Sequence, residues 1–291
     1  MLTVAIVFAL VTGANDGGAL LTNGLKLAVP RVWVLLTTLT VCVVAVPAFL
    51  TTAVASTFTD RLVSFASPVP VAVGVCSALA VVLVLTRAGR PTSLTLATVG
   101  GLTGAGIGAG LPVSYGWVGY VLAVGLAAPL AGGLLAAPVV RMLNLDGLRG
   151  AHVLGFLGQC LAYAANDGQK MLAVFLITAG SHLWVTPLIG LLFAIGALYG
   201  LPRTGALLGG RLLAVRPVHA VAAEVSSAGA VLGSAALGAP VSMTQSMAGG
   251  LIGAGGAGRV RWEAASRLVL AWMLTLPGAV ALAAVLTWSV T

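Results

Sequence analysis

The chain has 291 residues, of which 59% are hydrophobic and 7% are charged, and its mean hydropathy is +1.12. These values exclude an ordinary soluble globular domain and predict an integral membrane protein. The net charge of +8 does not indicate nucleic-acid binding, because the 14 Lys and Arg residues are scattered singly and form no stripe. The three cysteines lie inside apolar runs and are odd in number, so we expect neither a disulfide framework nor a metal cluster.

Apolar runs recur along the whole chain, with lengths near the ~20 residues that an α-helix needs to cross a bilayer core about 30 Å thick. They predict an all-α integral membrane protein with about ten transmembrane helices. The predicted spans are residues 2–24, 32–56, 68–86, 92–112, 115–139, 150–180, 185–200, 218–238, 241–258 and 265–288.

The basic residues predict the orientation of these spans, because cytoplasmic loops carry an excess of Lys and Arg. If the N-terminus lies outside the cell, every basic residue except Arg61 and Lys170 falls in an inner loop. We therefore expect a multi-pass protein of the plasma (inner) membrane with both termini extracytoplasmic. The inner-loop residues are Lys26, Arg31, Arg87, Arg90, Arg141, Arg149, Arg203, Arg211, Arg216, Arg259, Arg261 and Arg267.

Two sequence motifs return in the second half of the chain in the same order. The motif GANDG at 13–17 returns as AANDG at 164–168. The longer segment PTSLTLATVGGLTGAG at 91–106 returns as PVSMTQSMAGGLIGAG at 240–255. The similar offsets of these pairs indicate an internal duplication rather than chance.

The duplication predicts two halves of five spans each. Because five is odd, the second half must enter the membrane upside down relative to the first. We predict a first inverted repeat at 1–140, a cytoplasmic connector at 141–149 and a second inverted repeat at 150–291, with broken or re-entrant helices at the midplane. Inverted repeats of this kind are typical of transporters that bind their substrate where the halves meet.

Asp16 and Asp167 lie in the middle of predicted spans, at equivalent positions of the repeat. Each costs about 2.5–3.5 kcal/mol on insertion scales, so a functional role is favoured over a purely structural one. Neighbouring glycines such as Gly13 are expected to unwind the helix and to expose backbone groups beside the carboxylates. Oxygen ligands of this kind suit Na⁺ or a proton. The predicted ligands of the coupling cation are Asn15, Asp16, Asn166 and Asp167.

The hydroxyl groups of the two Pro-x-Ser-x-Thr segments are candidate donors to an anion. The alternative is that they hydrogen-bond to their own helices, as hydroxyls in membrane spans often do. Lys170 follows Asp167 at i+3, where a plain salt bridge is an equally good interpretation. The candidate substrate-binding residues are Ser93, Thr95, Ser242, Thr244, Gln169 and Lys170.

Glu224 lies in an apolar run and has no acidic counterpart in the first half. It is a further candidate ligand of the coupling cation, and the alternative is that it caps the span that begins near Pro217. The histidines lie near span ends, so we expect them at the membrane interface rather than as ligands. They are His152, His182 and His219.

The motifs resemble those of the inorganic phosphate transporter family. That family's repeats typically read GANDVANA, GANDVQKA and PVSTTH, and the chain has GANDG at 13–17, AANDGQK at 164–170 and PVSMT at 240–244. The resemblance covers nearly the whole chain, since residues 222–242 and 268–286 also look like the second half of that family.

This resemblance implies cation-coupled symport of inorganic phosphate with Na⁺ or H⁺, outward-facing termini and homodimers embedded in membrane lipid. A negatively charged cargo beside Asp16 and Asp167 requires that those carboxylates be neutralised, which also predicts cation coupling, and inverted halves predict alternating access. We expect no cofactor besides the coupling cation. No enzymatic activity is expected, because the sequence has no visible nucleophile, base and orienting group and no metal-ligand cluster.

The chain departs from the family pattern at several motif positions. Two alternatives therefore stay open: a permease for sulfate or another oxyanion within the same family, and a non-transporting relative that serves as a membrane-embedded binding or assembly protein. The departures are Ala19 in place of Asn, Tyr163 in place of His, Ala164 in place of Gly, Leu94 in place of a hydroxyl residue, and Leu96 and Gln245 in place of His.

Overall fold

The computed structural model describes residues 1–25, 31–88, 92–143, 147–208, 216–256 and 260–291, without the side chains of 203–208 and 264. Throughout these ranges the regular secondary structure is helical apart from isolated bridge residues, namely Val63 paired with Val113 and Val260, which confirms the all-α class. Five-residue π-helical turns occur at Gly13–Gly17, Thr57–Arg61 and Ala164–Gly168. The α-helices are α1 (Leu2–Thr12), α2 (Gly18–Gly24), α3 (Val32–Phe49), α4 (Ala53–Ser56), α5 (Pro68–Arg87), α6 (Leu94–Gly108), α7 (Tyr115–Met142), α8 (Leu148–Tyr163), α9 (Gln169–Ala179), α10 (Val185–Leu208), α11 (Pro217–Ala236), α12 (Met243–Gly255) and α13 (Trp262–Val290).

Several of these helices have the length and composition of membrane spans. Within the described ranges, 6 helical segments are long and apolar enough to cross a membrane, and α6 is a shorter apolar helix. The predicted class, a multi-pass helical membrane protein, is therefore confirmed. The six segments are Leu2–Gly24, Val32–Phe49, Pro68–Arg87, Tyr115–Met142, Val185–Pro202 and Ala265–Val290.

The predicted span at 32–56 is wrong at its end, because α3 stops at Phe49. Pro47 weakens the last turn of α3, because it has no backbone N–H to donate to the carbonyl of the preceding turn. In the turn that follows, the hydroxyl of Thr51 accepts a hydrogen bond from the amide of Ala53 at 3.2 Å. A separate short helix, α4, then begins. At the far end of the predicted span 241–258, residues 257 and 258 lie outside the described residues.

The two repeated Asn-Asp motifs form π-helical turns, so the prediction that their glycines unwind the helix is wrong. Gly13 has helical torsion angles, φ −58° and ψ −47°, and the amide of Gly18 donates to the carbonyl of Gly13. This wider turn keeps the backbone hydrogen-bonded, which an unwound segment away from water could not do. Gly13 instead permits close helix packing, since a Cβ atom there would lie 2.3 Å from the carbonyl oxygen of Phe193 in α10.

The glycine-rich helix of each sequence half packs against the last helix of the other half. α6 packs against α13, and α12 packs against α7. The approach is too close for any side chain, because a Cβ atom on Gly104 would lie 2.2 Å from the carbonyl oxygen of Val280. In the equivalent contact, a Cβ atom on Gly253 would lie 2.0 Å from the carbonyl oxygen of Gly133. Small residues thus let the two halves interlock through backbone contacts.

Candidate functional site

A small cavity lies where the two Asn-Asp motifs meet the starts of α6 and α12. It brings together residues that are far apart in the sequence, and both predicted aspartates face it together with three of the four predicted hydroxyl groups. The lining residues are Asp16, Leu94, Thr95, Asp167, Ser242, Met243 and Thr244.

Each aspartate accepts a hydrogen bond from the asparagine that precedes it. Asn15 Nδ2 donates to Asp16 Oδ1 at 2.7 Å, and Asn166 Nδ2 donates to Asp167 Oδ2 at 2.9 Å. The two carboxylates differ in exposure, because Asp167 is only 3% exposed whereas Asp16 is partly exposed. Through these hydrogen bonds the asparagines orient the carboxylates, although neither asparagine lines the cavity.

Lys170 joins the second motif to the start of α6. Its ammonium group forms a buried ion pair with Asp167 and donates a hydrogen bond of 2.5 Å to the hydroxyl of Thr95. The salt bridge that the sequence left open is therefore present, and it lies beside the cavity. The ion pair and the hydrogen bond offset part of the desolvation cost of burying this ammonium group.

Five residues close this set of contacts into a ring, which we call the polar ring: Asp167, Lys170, Thr95, Val241 and Asn166. Thr95 Oγ1 donates to the carbonyl of Val241 at 3.1 Å. Asn166 binds the same backbone twice, donating to the carbonyl of Val241 at 2.6 Å and accepting from its amide at 3.0 Å. The polar ring thus fixes the segment before α12 against the second Asn-Asp motif and against α6.

Ser93 and Ser242 are the N-cap residues of α6 and α12. Ser93 Oγ accepts from the amide of Leu96 at 3.2 Å, and Ser242 Oγ accepts from the amide of Gln245 at 3.4 Å. The interpretation that these hydroxyls bond to their own helices therefore holds for both serines. The caps place two helix N-termini beside the cavity, and the partial positive charge of such termini favours an anion.

Gln169 does not line the cavity, although it was a candidate substrate ligand. Its Oε1 atom accepts hydrogen bonds from the amides of Val54 at 2.8 Å and Ala55 at 3.0 Å. It therefore caps the start of α4, which lacks a side-chain cap of its own at Thr52. The sequence carried no signal for this contact, because α4 lies more than a hundred residues away along the chain.

Glu224 also lies outside the cavity lining. Its Oε2 atom is 2.8 Å from Nδ1 of His152, whose Nε2 is 3.1 Å from the carbonyl oxygen of Gly24. The start of α11 has no side-chain cap, so Glu224 does not cap that helix. His152 and His219 lie near the starts of α8 and α11, as expected, but both are buried, with exposures of 2% and 5%. The carboxylate of Glu224 and the carbonyl oxygen of Gly24 give the buried ring of His152 polar partners.

Two apolar residues, Leu94 and Met243, line the cavity but were not candidates from the sequence. Both directly follow the capping serines, at equivalent positions of the repeated segment. Their equivalent positions could have identified them as lining residues. They were missed from the sequence because apolar side chains are common in any membrane span. Leu94 and Met243 restrict the cavity on the side of the two helix starts.

The fold and this cavity define a multi-pass helical membrane protein with a buried polar site between repeated sequence motifs. Comparisons with known proteins support this class. The model of a family described as "Phosphate transporter family" matches residues 147–283. A "Probable low-affinity inorganic phosphate transporter" of Mycobacterium bovis is 31% identical over 310 residues, covering 95% of this chain and 73% of the relative. The chain belongs to the phosphate transporter family. Its relatives are transporters and not enzymes, as the sequence led us to expect.

A second relative and a solved structure extend the likeness. The "Probable low-affinity inorganic phosphate transporter" of Mycobacterium leprae is 30% identical, covering 84% of this chain and 66% of the relative. The chain therefore spans about two thirds of the length of that relative. A solved structure described as "The sodium-dependent phosphate transporter" has a TM-score of 0.78, covers 99% of this chain and 97% of its own, and is 17% identical. That likeness establishes the fold.

Proposed function

We propose that the chain carries inorganic phosphate across the membrane by symport with a monovalent cation. The observation that carries this proposal is the cavity in which Asp16 and Asp167 meet the N-termini of α6 and α12. Such a cavity offers donors for an anion and acceptors for a cation at the same place. The family membership makes phosphate the preferred anion over sulfate.

Phosphate is held in this proposal by groups that donate hydrogen bonds. The hydroxyls of Thr95, Ser242 and Thr244 line the cavity, and the ammonium of Lys170 lies directly behind Thr95. The free amides at the starts of α6 and α12 add donors and partial positive charge. Ser93 acts indirectly, by capping α6, and Gln169 acts indirectly, by capping α4.

Cation coupling follows from the charges around the cavity. Two unit charges 4 Å apart interact by about 4 kcal/mol at an effective dielectric constant of about 20, so an anion near two carboxylates is strongly repelled. Lys170 offsets one of these charges. We assign the coupling cation, Na⁺ or a proton, to the Asp16 and Asp167 carboxylates, which their preceding asparagines orient. Glu224 is left out of this assignment because it lies with His152, outside the cavity lining.

Alternating access is proposed from the repeat. In both Asn-Asp motifs the asparagine donates a hydrogen bond to the following aspartate, a serine caps each of α6 and α12, and each glycine-rich helix packs against the last helix of the other half. These matches support two inverted five-span repeats at 1–140 and 150–291. One bundle, which carries both Asn-Asp motifs and both Ser/Thr segments, moves against the rest of the protein and exposes the cavity to either side in turn. The proposed connector at 141–149 includes residues 144–146, which lie outside the described residues.

The membrane arrangement is proposed from charge and from the family resemblance. We place the protein in the plasma (inner) membrane with both termini outside, as a homodimer surrounded by lipid. Some of the basic residues that carry the orientation lie outside the described residues, namely Lys26, Arg90, Arg211 and Arg259, as does the side chain of Arg203. Labelling of single cysteines introduced next to each terminus in intact cells tests the orientation, and labelling only after permeabilisation would contradict it.

Uptake of radiolabelled phosphate into proteoliposomes tests the central proposal. We expect counterflow of phosphate, and accumulation that depends on an inward Na⁺ or proton gradient. Unlabelled sulfate and arsenate serve as competitors, and stronger competition by sulfate than by phosphate would favour the sulfate alternative. Absence of uptake of phosphate, sulfate and arsenate under both gradients would support the non-transporting alternative and contradict the proposal.

A further inference from the structure

The cavity has an apolar wall as well as polar ones. Leu94 and Met243 line it together with polar residues, and they are the first residues of α6 and α12. Both side chains are buried, with exposures of 6% and 7%, and both pack into the hydrophobic core. An anion in the cavity therefore meets a wall that can neither donate nor accept a hydrogen bond. We call these two side chains the apolar wall.

The hydroxyl groups that line the cavity are already engaged with the protein. Thr95 donates its one hydroxyl hydrogen to the carbonyl of Val241 at 3.1 Å. The hydroxyl oxygens of Ser242 and Thr244 lie 2.9 Å apart, so one hydroxyl hydrogen is used between them and one remains for a ligand. Ionised aspartates only accept hydrogen bonds, and the other donors at the cavity are backbone amides of the two helix starts. The donors available to an anion are therefore few.

The number of oxygens on the anion decides how well it suits this cavity. An anion oxygen that is removed from water and left without a hydrogen-bond donor costs free energy. Phosphate and sulfate carry four oxygens in a tetrahedral arrangement, so when three oxygens face the donors the fourth faces the apolar wall. Phosphite and methylphosphonate carry a hydrogen atom or a methyl group in place of one oxygen. They can turn that substituent to the apolar wall and direct all three oxygens to the donors.

We propose that the cavity binds phosphite and methylphosphonate in preference to phosphate, with the apolar substituent in contact with Leu94 and Met243. This inference rests on the proposed function, because these anions are carried through the same cavity. It extends the substrate class from inorganic phosphate to small phosphorus oxyanions with one apolar substituent. The polar walls receive three oxygens on a tetrahedral phosphorus in each case, so the apolar wall makes the distinction. Leu94 and Met243 are thus specificity-determining residues.

Direct binding of ³²P-labelled phosphite and ³²P-labelled phosphate to the purified full chain in detergent tests this preference. The measurement uses saturating Na⁺ and an alkaline pH at which both anions carry two charges. We expect a Kd for phosphite that is about tenfold lower, because binding then leaves no anion oxygen unpaired. Methylphosphonate should displace labelled phosphate more effectively than sulfate does. A Kd for phosphite equal to or higher than that for phosphate would overturn the inference.

Pairs of variants with nearly the same side-chain shape separate the polarity of the apolar wall from its size. Met243→Thr and Met243→Val shorten the side chain equally, but only threonine adds a hydroxyl donor. We expect Met243→Thr to reduce the preference for phosphite about tenfold, because its hydroxyl can pair with the fourth oxygen of phosphate, and Met243→Val to retain the preference. Leu94→Thr and Leu94→Val should differ in the same way. Equal preferences within both pairs of folded variants would contradict the inference.

Uptake into proteoliposomes distinguishes this inference from the proposed function. We expect cation-coupled uptake of both anions, with a lower KM for phosphite than for phosphate. Phosphate uptake that excess phosphite does not inhibit would overturn the inference and leave the proposed function standing. Uptake of phosphite without uptake of phosphate would support the inference and contradict the proposed function.

Discussion

The ammonium group of Lys170 donates a 2.5 Å hydrogen bond to the hydroxyl of Thr95, which lies 75 residues earlier in the chain and in the other sequence repeat. The same ammonium group forms an ion pair with Asp167. One side chain therefore connects the second Asn-Asp motif to the helix start that the first repeat contributes to the cavity. Its removal should affect both stability and anion binding.

Breaking this buried ion pair on one side is expected to destabilise the protein. Lys170→Met leaves Asp167 buried without its counter-ion, at a cost of about 3–5 kcal/mol in the free energy of unfolding. The double variant Asp167→Asn, Lys170→Met leaves no unpaired charge and should recover part of this loss. Thermal unfolding in detergent, measured for both single variants and the double variant, gives the coupling energy. Strictly additive losses would contradict a direct pair.

Asp16→Asn is expected to abolish or uncouple phosphate uptake while the protein stays folded. Asn15 can still hydrogen-bond to an amide oxygen, so the local structure is retained while the negative charge is lost. Uptake with and without a cation gradient, together with the thermal midpoint, provides the measurement. Uptake at the wild-type level from both Asp16→Asn and Asp167→Asn would place the carboxylates outside the transport pathway.

Gln169→Leu is expected to lower stability with little effect on the affinity for phosphate. The substitution keeps the side-chain volume but leaves the buried amides of Val54 and Ala55 without their acceptor, at a cost of about 1–3 kcal/mol. Thr95→Val, at a residue that lines the cavity, should instead raise the KM for phosphate. A larger rise in KM for Gln169→Leu than for Thr95→Val would indicate direct substrate contact.

Gly104→Ala is expected to disrupt the packing of α6 against α13. The added Cβ would lie 2.2 Å from the carbonyl oxygen of Val280, and overpacking of this kind typically costs about 1–3 kcal/mol. Gly233→Ala, within α11, is the matched control because a Cβ there meets nothing within 4 Å. Thermal midpoints of the two variants should differ clearly. Equal midpoints would mean that the two helices separate without cost.

Much of this protein could be predicted from its sequence because the decisive signals are local. Hydropathy over successive windows determines the membrane class, and it located α5, α7 and α13 almost to their ends. The repeated motifs selected Asp16 and Asp167, because a carboxylate in an apolar span is expensive wherever the chain folds. The departures of single motif positions, Ala19 among them, were also visible before any contact was known.

The tertiary structure alone decided which of the chosen residues meet. Lys170 reaches Thr95, whereas its neighbour Gln169 turns to α4, and no periodicity distinguishes these two side chains in the sequence. The burial of His152 depends on Glu224, 72 residues away, and the π-helical turns depend on backbone hydrogen bonds that compete with unwinding. Whether a segment forms a helix depends mainly on residues close to it in the sequence. Which side chains contact each other across the protein depends on the distances between the packed helices and on which buried polar groups need hydrogen-bond partners. For this reason the sequence determined which residue types are available to the site, and only the folded chain decided how those residues are arranged.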